Sequence, residues 1–520
     1  MKQYEMFELV FPGETLRDNW AQIGLTAEFT CGDVRKTVKG FSDGEGRYAV
    51  RFLPETAGEW HWKIRGAVNA EGKEICEPAK NQHGLVQAAD THFEYQDGTL
   101  FIPVGTTVYA LAHQDDALVE QTLESLKTGP FNKVRMCVFP KHYDYNHNEP
   151  PCYAFEKNPD GSWDVNRPCI AFWHRFEKIL KRISEMDIQI DLILFHPYDR
   201  WGFSGLAQRD NLIYLDYLLR RLSAWPGIWW SLANEYDLNM AKSLADWEEI
   251  EEYVAGNDPF HHLLSNHNCM CFWDSTRPNI THASLQTKGL SEIPRWIREY
   301  KKPVIIDECC YEGNLPHFWG SISGQEMVRR FWRCYASGAY CTHGETFLSD
   351  DEILWWARGG KLKGESPKRI AFLRRIMESL PGPLTPREGG FLDLARSDDP
   401  ADMERIPREM RGFFKAFSDS IHRMNEQDRT AHLGGEHSWE AHCGEEAYLT
   451  YFDLQCYGEQ TVKLPADKVY KAELIDVWNM TREVIAENIS GDTKLALPGR
   501  DNLALLITRI QSSSGRPDNR

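Results

Sequence analysis

The sequence predicts an α/β chain with a central (β/α)8 TIM barrel, flanked by an N-terminal β-sandwich and a C-terminal β-sandwich. Eight near-continuous apolar segments alternate with amphipathic helical segments between residues 93 and 385. Short segments in which apolar and polar residues alternate occupy both ends of the chain. Apolar strands separated by helices are typical of a parallel sheet covered on both faces, and eight such units close a barrel.

The pattern of apolar residues changes along the chain and divides it into four regions. Residues 1–92 carry short alternating strands punctuated by Gly and Asp, and we expect them to form an Ig-like β-sandwich. Residues 93–385 are the predicted barrel, and the charged stretch 386–440 is predicted to be a helical and loop-like connector. Strands return over 441–512 as the C-terminal β-sandwich, and we expect the tail QSSSGRPDNR to be disordered.

The eight predicted barrel strands are separated by helical segments such as ALVEQTLESLKTG and IAFWHRFEKILKRISEMD. A doubly wound open sheet is the alternative, but no GxGxxG motif follows the first strand. The strand segments are Leu100–Leu111, Phe131–Phe139, Ile188–Asp199, Ile228–Asp237, His262–Asn268, Asn279–Gln286, Pro303–Gly313 and Gly338–Phe347.

Composition excludes several classes of partner. The formal net charge of -18 argues against nucleic acid and anionic membrane surfaces, and no apolar run is long enough for a transmembrane helix. The N-terminal residues lack the apolar segment of a signal peptide, and thirteen scattered Cys are typical of reduced thiols, so we expect a cytoplasmic protein. Their spacing does not fit zinc, so we expect no structural metal and no cofactor.

Polar and aromatic residues follow the predicted strands, at the end of a barrel where active sites lie. Every strand after the first contributes some, whereas the first ends TTVYALAH. The residues at these strand ends are His142, Tyr143 and Asp144; His196, Asp199, Trp201 and Phe203; Asn234, Glu235 and Asp237; Asn266, His267 and Asn268; His282 and Gln286; Asp307, Glu308 and Glu312; and His343 and Glu345.

Two of these strand ends face each other across the barrel mouth and both carry carboxylates. Strand four ends in WWSLANEYD and strand seven in PVIIDECCYEG. A buried carboxylate costs several kcal/mol unless it is paired or functional. Two carboxylates about 5 Å apart are what a retaining glycosidase needs, because one protonates the leaving oxygen while the other attacks the anomeric carbon. Neighbouring like charge raises the pKa of the acid.

The pair SLANE and PVIIDE resembles the large clan of (β/α)8 retaining glycoside hydrolases. In that clan the Glu of an Asn-Glu pair ending strand four is the acid/base, and a Glu ending strand seven is the nucleophile. The resemblance implies that Glu235 is the acid/base and Glu308 the nucleophile. It also implies that Asn234 hydrogen-bonds the sugar 2-OH.

A narrower resemblance covers nearly the whole chain. The motifs FIPVGTTVYAL, WDVNRP, FHPYDRWGF, PVIIDECCYEG and GAYCTHGE resemble the apiosidase-like branch of these hydrolases, whose members often carry an N-terminal β-sandwich and a C-terminal β-domain. The resemblance implies release of a terminal sugar, either a plant-type pentose such as apiose or another monosaccharide.

Other carboxylates near the two tips remain alternatives. Glu312 or Asp307 is an alternative nucleophile, and Asp237 is an alternative acid/base. Strict alternation from an inward Glu308 predicts that Asp307 points outward.

A further set of side chains is predicted to bind substrate or tune the site. His196 and Asp199 are expected to bind sugar hydroxyls, and Trp201 and Trp355 are candidate stacking platforms. Tyr311 is expected to hydrogen-bond a carboxylate. Together with Asn234, the predicted substrate-binding residues are His142, His196, Asp199, Trp201, His267, Gln286, Tyr311, Glu312, His343, Glu345 and Trp355.

The sequence therefore predicts an exo-acting retaining O-glycosidase for small glycosides or oligosaccharides. The flanking β-domains are expected to brace the barrel or build a homo-oligomer rather than bind polysaccharide. Two alternatives stay open. One is a metal-dependent barrel hydrolase that uses His142, His196, His267, His282 and Glu308 as ligands. The other is a non-catalytic carbohydrate-binding barrel.

Overall fold

The computed structural model describes residues 1–387, 403–404, 406–425, 427–428 and 439–510. They divide into two compact units. The first comprises Met1–Thr287, Glu299–Met327 and Tyr340–Arg374. The second comprises Lys288–Arg298, Val328–Ala339 and the described part of 375–520. The predicted tail, and residues 388–402 of the predicted connector, lie outside the described residues.

The N-terminal strands form two antiparallel sheets in the orders β1-β5-β4 and β3-β2-β6-β7, which confirms the predicted sandwich. Aromatic rings fill the space between them: Phe52 stacks on Phe29 with centroids 4.0 Å apart and meets Trp60 edge-on at 4.9 Å. The strands are Phe7–Pro12 (β1), Leu25–Cys31 (β2), Val34–Lys39 (β3), Phe41–Ser42 (β4), Arg47–Phe52 (β5), Gly58–Gly66 (β6) and Ala70–Cys76 (β7).

A small antiparallel sheet that was not predicted follows the sandwich. It consists of Val86–Ala89 (β8), His92–Tyr95 (β9) and Leu100–Phe101 (β10). Phe93 on β9 contacts Trp229 at 5.1 Å and Tyr340 at 5.4 Å between ring centroids, and so closes the N-terminal end of the barrel. The predicted strand Leu100–Leu111 is therefore two strands, because Pro103 between them has no N–H to donate to a ladder.

Eight parallel strands form one sheet in the order β17-β16-β15-β12-β11-β21-β19-β18, which confirms the predicted barrel. A parallel bridge between His267 and Ser284 joins the two outermost strands and closes it. The strands of this region are Val104–Thr107 (β11), Lys133–Cys137 (β12), Phe155–Lys157 (β13), Trp163–Pro168 (β14), Gln189–Phe195 (β15), Ile228–Ala233 (β16), Leu264–Ser265 (β17), Ala283–Gln286 (β18), Val304–Glu308 (β19), Glu312–Gly313 (β20), Tyr340–His343 (β21) and Glu345–Thr346 (β22).

Helices follow every barrel strand except β17, whose connection to β18 contains none in the described residues. The Asp115 side chain caps α1, and a capping box of Ser243 and Asp246 begins α4. No helix among the described residues has the length and apolarity needed to cross a membrane. The helices are Asp116–Thr128 (α1), Ile170–Ser184 (α2), Gln208–Leu222 (α3), Leu244–Asn257 (α4), Ile293–Tyr300 (α5), Gly324–Tyr335 (α6), Trp355–Arg358 (α7) and Ser366–Glu378 (α8).

The C-terminal strands form a six-stranded sheet, β23-β24-β25-β30-β27-β28, and a two-stranded sheet, β26-β29, around an apolar core. This agrees with the predicted second β-sandwich. Helix α9, Arg411–Arg423, precedes most of it. The strands are Thr385–Pro386 (β23), Trp439–Cys443 (β24), Ala447–Tyr451 (β25), Glu459–Lys463 (β26), Tyr470–Asp476 (β27), Thr481–Ile489 (β28), Asp492–Ala496 (β29) and Leu503–Arg509 (β30).

Four charged side chains, which we call the barrel quartet, lie buried inside the barrel: Lys133, Arg135, Asp191 and Asp307. Lys133 Nζ is 2.7 Å from Asp191 Oδ2 and 2.8 Å from Asp307 Oδ1, and Arg135 Nε is 3.3 Å from Asp191 Oδ2. Lys133 and Asp307 belong to strands that are not neighbours, so they meet through the interior. The prediction that Asp307 points outward is wrong.

A second buried ion cluster joins the N-terminal sandwich to the barrel helices. Arg51 donates to both carboxylate oxygens of Glu177 at 2.8 Å, and Arg221 Nε donates to the same carboxylate at 2.7 Å. Burial alone would raise the pKa of Glu177, but the two guanidinium groups outweigh it and lower the pKa to about 2. Glu177 therefore holds two buried arginines together.

Glu312 and Glu345 are buried side by side at the start of α8. The backbone N–H groups of residues 363–366 donate to them, one to each carboxylate oxygen, at 2.6–3.1 Å. Residues 363–365 precede α8 and Ser366 is its first residue, so the two carboxylates bind the segment that leads into this helix. Burial, with the negative charge of Glu312 adding to it, raises the pKa of Glu345 to about 7.

Replacing Glu177 by Gln should lower the free energy of unfolding by about 3–5 kcal/mol, because two buried arginines lose their counter-charge. Urea unfolding measures the loss. Glu120→Gln is the matched control, since that carboxylate is 58% exposed beside Arg182, and its loss should stay below about 1 kcal/mol. Equal losses in the two variants would contradict the role of Glu177.

Because its pKa is raised in the folded protein, Glu345 should make the free energy of unfolding fall as pH rises. Between pH 4.5, the ordinary pKa of the carboxyl, and its folded value near 7, the folded state keeps a proton that the unfolded state has released. Glu345→Gln mimics the protonated form. We compare the free energy of unfolding of this variant with that of wild type at each pH. The difference, variant minus wild type, should be about 2 kcal/mol larger at pH 8 than at pH 5. Unfolding at several pH values checks this, with the exposed Glu365→Gln as control. Parallel pH curves for wild type and Glu345→Gln would refute it.

Candidate active site

The Asn-Glu pair lies immediately after β16, at the C-terminal end of the barrel. Glu235 has a left-handed backbone, with φ of 52°, and leads into a 3-10 helix, Tyr236–Leu238. This conformation is unfavourable for a residue with a side chain and often marks a functional site. The side chain is 6% exposed, so its carboxyl group lies in the barrel mouth rather than in solvent.

Glu308 ends β19 on the opposite side of the barrel and is 4% exposed. The Tyr109 hydroxyl hydrogen-bonds its Oε1. His267 Nε2 is 3.4 Å from the same oxygen, and Ser284 Oγ lies 3.1 Å from His267 Nδ1. Glu308 is thus held from two sides at the rim.

A chain of hydrogen bonds connects the two carboxyl groups. Asn234 Nδ2 donates to Glu235 Oε2 at 3.1 Å, and Asn234 Oδ1 is 2.7 Å from the Tyr109 hydroxyl. That hydroxyl also reaches Glu308, so its single proton is shared between Asn234 and Glu308. Two side chains, Asn234 and Tyr109, therefore link the carboxyl groups, and the charge of Glu308 acts on Glu235.

The surroundings push the pKa values of this pair in opposite directions. Burial and the negative charge of Glu308 raise the pKa of Glu235, so this group tends to hold a proton. Burial acts in the same sense on Glu308, but the hydrogen bond and charge of His267, with Lys141 and Arg135, lower its pKa overall. One carboxyl group is set up as an acid and the other as an anion.

Lys141 lies beside the pair with its ammonium group against three tyrosine rings. Its Nζ is 3.4 Å from the ring centroid of Tyr109, 4.3 Å from that of Tyr198 and 4.9 Å from that of Tyr143. Burial lowers the pKa of Lys141, whereas the charges of Cys137, Glu235 and Glu308 act against that shift. The residue brings positive charge to both carboxyl groups.

Aromatic side chains form one wall of the mouth. Trp356 contacts Tyr143 at 4.8 Å, Tyr311 at 5.7 Å and Tyr109 at 6.5 Å between ring centroids. Trp355, the predicted stacking platform, is instead 1% exposed and donates its indole N–H to Thr106 on β11. Its ring is inaccessible to a sugar, so Trp356 replaces it as the candidate platform.

Other predicted substrate-binding residues lie at or after the ends of strands two, three and six. His142 meets Trp201 edge-on at 6.1 Å, and Gln286 Oε1 is buried without a hydrogen-bond partner in the described residues. Asp199 accepts three backbone N–H groups of its own loop, from residues 201, 202 and 204. His196 Nε2 lies 3.2 Å from the Phe139 carbonyl oxygen, and burial lowers its pKa to about 3.

Three predicted substrate-binding residues point elsewhere. Glu312 and Glu345 accept backbone N–H groups from the segment that leads into α8, and His343 contacts Thr106 through Nδ1 and stacks on Phe131 at 5.0 Å. Ligand atoms of these three residues lie within 4.8 Å of one another, the spacing of a metal group, but all four carboxylate oxygens already accept N–H groups. We therefore remove them from the candidate substrate site.

The alternative catalytic carboxylates and the alternative metal set also separate from the pair. Asp307 belongs to the barrel quartet, and Asp237 accepts three backbone N–H groups from the loop after β17. His282 lies beside Phe93 at 5.5 Å, at the N-terminal end of the barrel. It cannot share one ion with Glu308 at the other end.

Four residues of the site were missed in the sequence: Tyr109, Lys141, Tyr198 and Trp356. The statement that strand one contributes nothing is wrong, because Tyr109 follows β11 and contacts Glu308. The Tyr198 hydroxyl interacts with Glu235 and Lys141 touches its ring. Tyr109 and Tyr198 could have been found, since each lies near the end of a predicted strand segment, as the chosen polar residues do.

The chain is similar to known proteins over its whole length. A family model described as the apiosidase-like catalytic domain matches residues 87–382. Models of two domains of unknown function match residues 1–67 and 437–508. No curated protein matches the sequence.

Solved structures extend the similarity to the whole chain. A candidate glycoside hydrolase from Bacteroides vulgatus ATCC 8482 is 34% identical, with 98% of this chain and 99% of that chain covered and a TM-score of 0.83. A glycoside hydrolase family 5 protein from the same bacterium is 15% identical, with 82% and 94% covered and a TM-score of 0.58, and shares the fold. The chain is a glycosidase and belongs to the apiosidase-like family of glycoside hydrolases.

Proposed function

We propose that this glycosidase acts by double displacement with retention, using Glu308 as nucleophile and Glu235 as acid/base. The observation that carries the proposal is the hydrogen-bonded connection of the two carboxyl groups through Asn234 and Tyr109, in surroundings that shift their pKa values apart. A retaining mechanism needs one ionised carboxylate and one protonated carboxyl group on either side of the same glycosidic bond.

The reaction has two steps. In the first, Glu308 attacks the anomeric carbon while Glu235 gives its proton to the departing oxygen, and a covalent glycosyl-enzyme forms. In the second, Glu235 takes a proton from water, the water attacks the same carbon, and Glu308 leaves as a carboxylate. Glu235 regains its proton in that step, so the enzyme returns to its starting state.

The neighbouring groups support both steps. We assign Asn234 the contact with the sugar 2-OH, and its hydrogen bond to Glu235 supports a second role in orienting that carboxyl group. Tyr109 and His267 hold Glu308 in one position, and the charge of Lys141 favours its ionised form. Trp356 offers a ring face for a sugar.

We further propose exo action on small glycosides. The aromatic wall and the loops after β12 and β15 favour a closed pocket for one terminal sugar. The family match supports apiose or another monosaccharide as that sugar. The thirteen cysteines are scattered along the chain, as is typical of reduced thiols, and this supports action in the reducing cytosol.

Glu308→Gly should lose hydrolysis of a chromogenic glycoside by at least 10³-fold, and azide should restore release of the aryl alcohol, because it attacks the vacated face of the sugar. A panel of aryl α- and β-glycosides that includes pentofuranosides identifies the sugar first. NMR of the azide adduct should show the anomer opposite to the hydrolysis product.

Glu312 is the other glutamate close to the end of β19, so Glu312→Gln is the matched control. This variant should still hydrolyse the glycoside without azide. Full activity in Glu308→Gly, or azide rescue in the Glu312 variant instead, would contradict the assignment. Binding of sugars without turnover on any glycoside would favour a non-catalytic barrel.

The pH dependence of kcat/KM should be bell-shaped, with the acidic limb set by Glu308 and the basic limb by Glu235. A nearby cation favours the ionised form of a carboxyl group, so Lys141→Met should move the acidic limb upward by about one pH unit. Lys242→Met, at a buried lysine over Phe195, is the control and should leave that limb in place. An unmoved acidic limb in Lys141→Met would count against its electrostatic role.

A further inference from the structure

Exposed apolar side chains are concentrated on the loops after β16 and β17. The described chain has seventeen exposed large apolar residues, and five of them lie between residues 238 and 272. Met240 is 92% exposed and Met270 is 80% exposed, the two highest values among the seventeen. Leu238 and Phe272, on the same two loops, are 39% and 36% exposed. We call Leu238, Met240, Met270 and Phe272 the rim patch.

Hydrogen bonds and a ring contact hold the two loops of the rim patch together. Asp237 accepts the backbone N–H groups of Cys269, Met270 and Cys271 at 2.6–2.7 Å. Tyr236 packs edge-on against Trp273 at 5.0 Å, and its N–H donates to the His267 carbonyl oxygen. The exposure of the two methionines is therefore a property of a fixed surface rather than of a loose loop.

The rim patch borders the acid/base. Leu238 donates its N–H to the Glu235 carbonyl oxygen at 3.0 Å, and Met240 follows two residues later. Burial and then the negative charge of Glu235 raise the pKa of Cys269, the neighbour of Met270. In the proposed reaction Glu235 protonates the leaving oxygen. The group attached to that oxygen must therefore lie on the Glu235 side of the sugar.

The rim patch offers a ligand apolar contact area but few hydrogen bonds. None of its four side chains carries a strong donor or acceptor, and Asp237, the adjacent carboxylate, is already engaged by backbone N–H groups. A second sugar would need polar partners for its hydroxyls. Methionine is flexible and polarizable, and it adapts to apolar and aromatic ligands of different shape.

We propose that the rim patch is the leaving-group subsite and that it binds an apolar, aromatic alcohol, so that the substrates are glycosides of such alcohols rather than oligosaccharides. This inference rests on the proposed function of Glu235 as the proton donor.

Two aryl glycosides of the same sugar test the subsite. Phenyl and 4-phenylphenyl glycosides have leaving groups of similar acidity but differ by one apolar ring. Wild type should show a kcat/KM about tenfold higher for the 4-phenylphenyl compound, because the additional ring is removed from water. In the double variant Met240→Ser, Met270→Ser this ratio should fall below about two. Val484→Ser, at an exposed apolar residue of β28, should leave the ratio and both rates unchanged.

Other results would overturn the subsite. A ratio near one in wild type, or an unchanged ratio in the double variant, contradicts it. A wild-type dimer in sedimentation that the double variant converts to monomer shows that the patch covers a second copy of the chain. If wild type hydrolyses neither glycoside, that result contradicts the proposed function but does not yet test the subsite. Binding of 4-phenylphenol, measured by calorimetry, then decides: binding by wild type but not by the double variant supports the subsite, and no binding overturns it.

Discussion

The barrel quartet is the constraint on which the active site depends. Two positive and two negative side chains are buried together inside the barrel. A charge of either sign would strongly destabilise the fold there if it had no opposite charge beside it. Asp307 is fixed most completely, by Lys133 and by hydroxyl donors Ser284 and Thr342, both at 2.6 Å. Burial would raise the pKa of Asp307, but Lys133 and Arg135 lower it, so it stays charged. The next residue is Glu308, whose place at the rim follows from this anchored neighbour.

The proposed catalytic pair, Glu235 and Glu308, combines geometry with charge. Tyr109 and Asn234 tie the position of one carboxyl group to that of the other, so that a displacement of either disturbs both. The local charges then differentiate the two groups. His267 and Lys141 favour the anion at Glu308, whereas burial and the negative charge of Glu308 raise the pKa of Glu235. In the proposed reaction a sugar between them would exclude water and strengthen both effects.

Much of the fold and the central pair could be predicted from the sequence, because apolar strand segments and polar strand ends leave a clear pattern. The failures have local physical causes. A register shift pairs Leu285 with Ile306 but Gln286 with Glu308, which makes Asp307 an extra residue and breaks the alternation used to place it. Trp355 and Trp356 are neighbours on α7, where one residue is about 100° of rotation, so the sequence alone could not tell which ring faces the site. Glu312 and Glu345 looked like rim residues because their partners, four backbone N–H groups near residue 364, come from a distant segment.

The most direct measurement of the central claim is the site of covalent attachment of the sugar. A 2-deoxy-2-fluoro glycoside of the preferred sugar, with an activated leaving group, slows the second step more than the first and accumulates the glycosyl-enzyme. Peptide mass spectrometry of the inactivated protein should place one sugar on Glu308, and Glu308→Gln should take up none. A sugar on Glu312 or Asp307, or complete hydrolysis without any covalent species, would contradict the account.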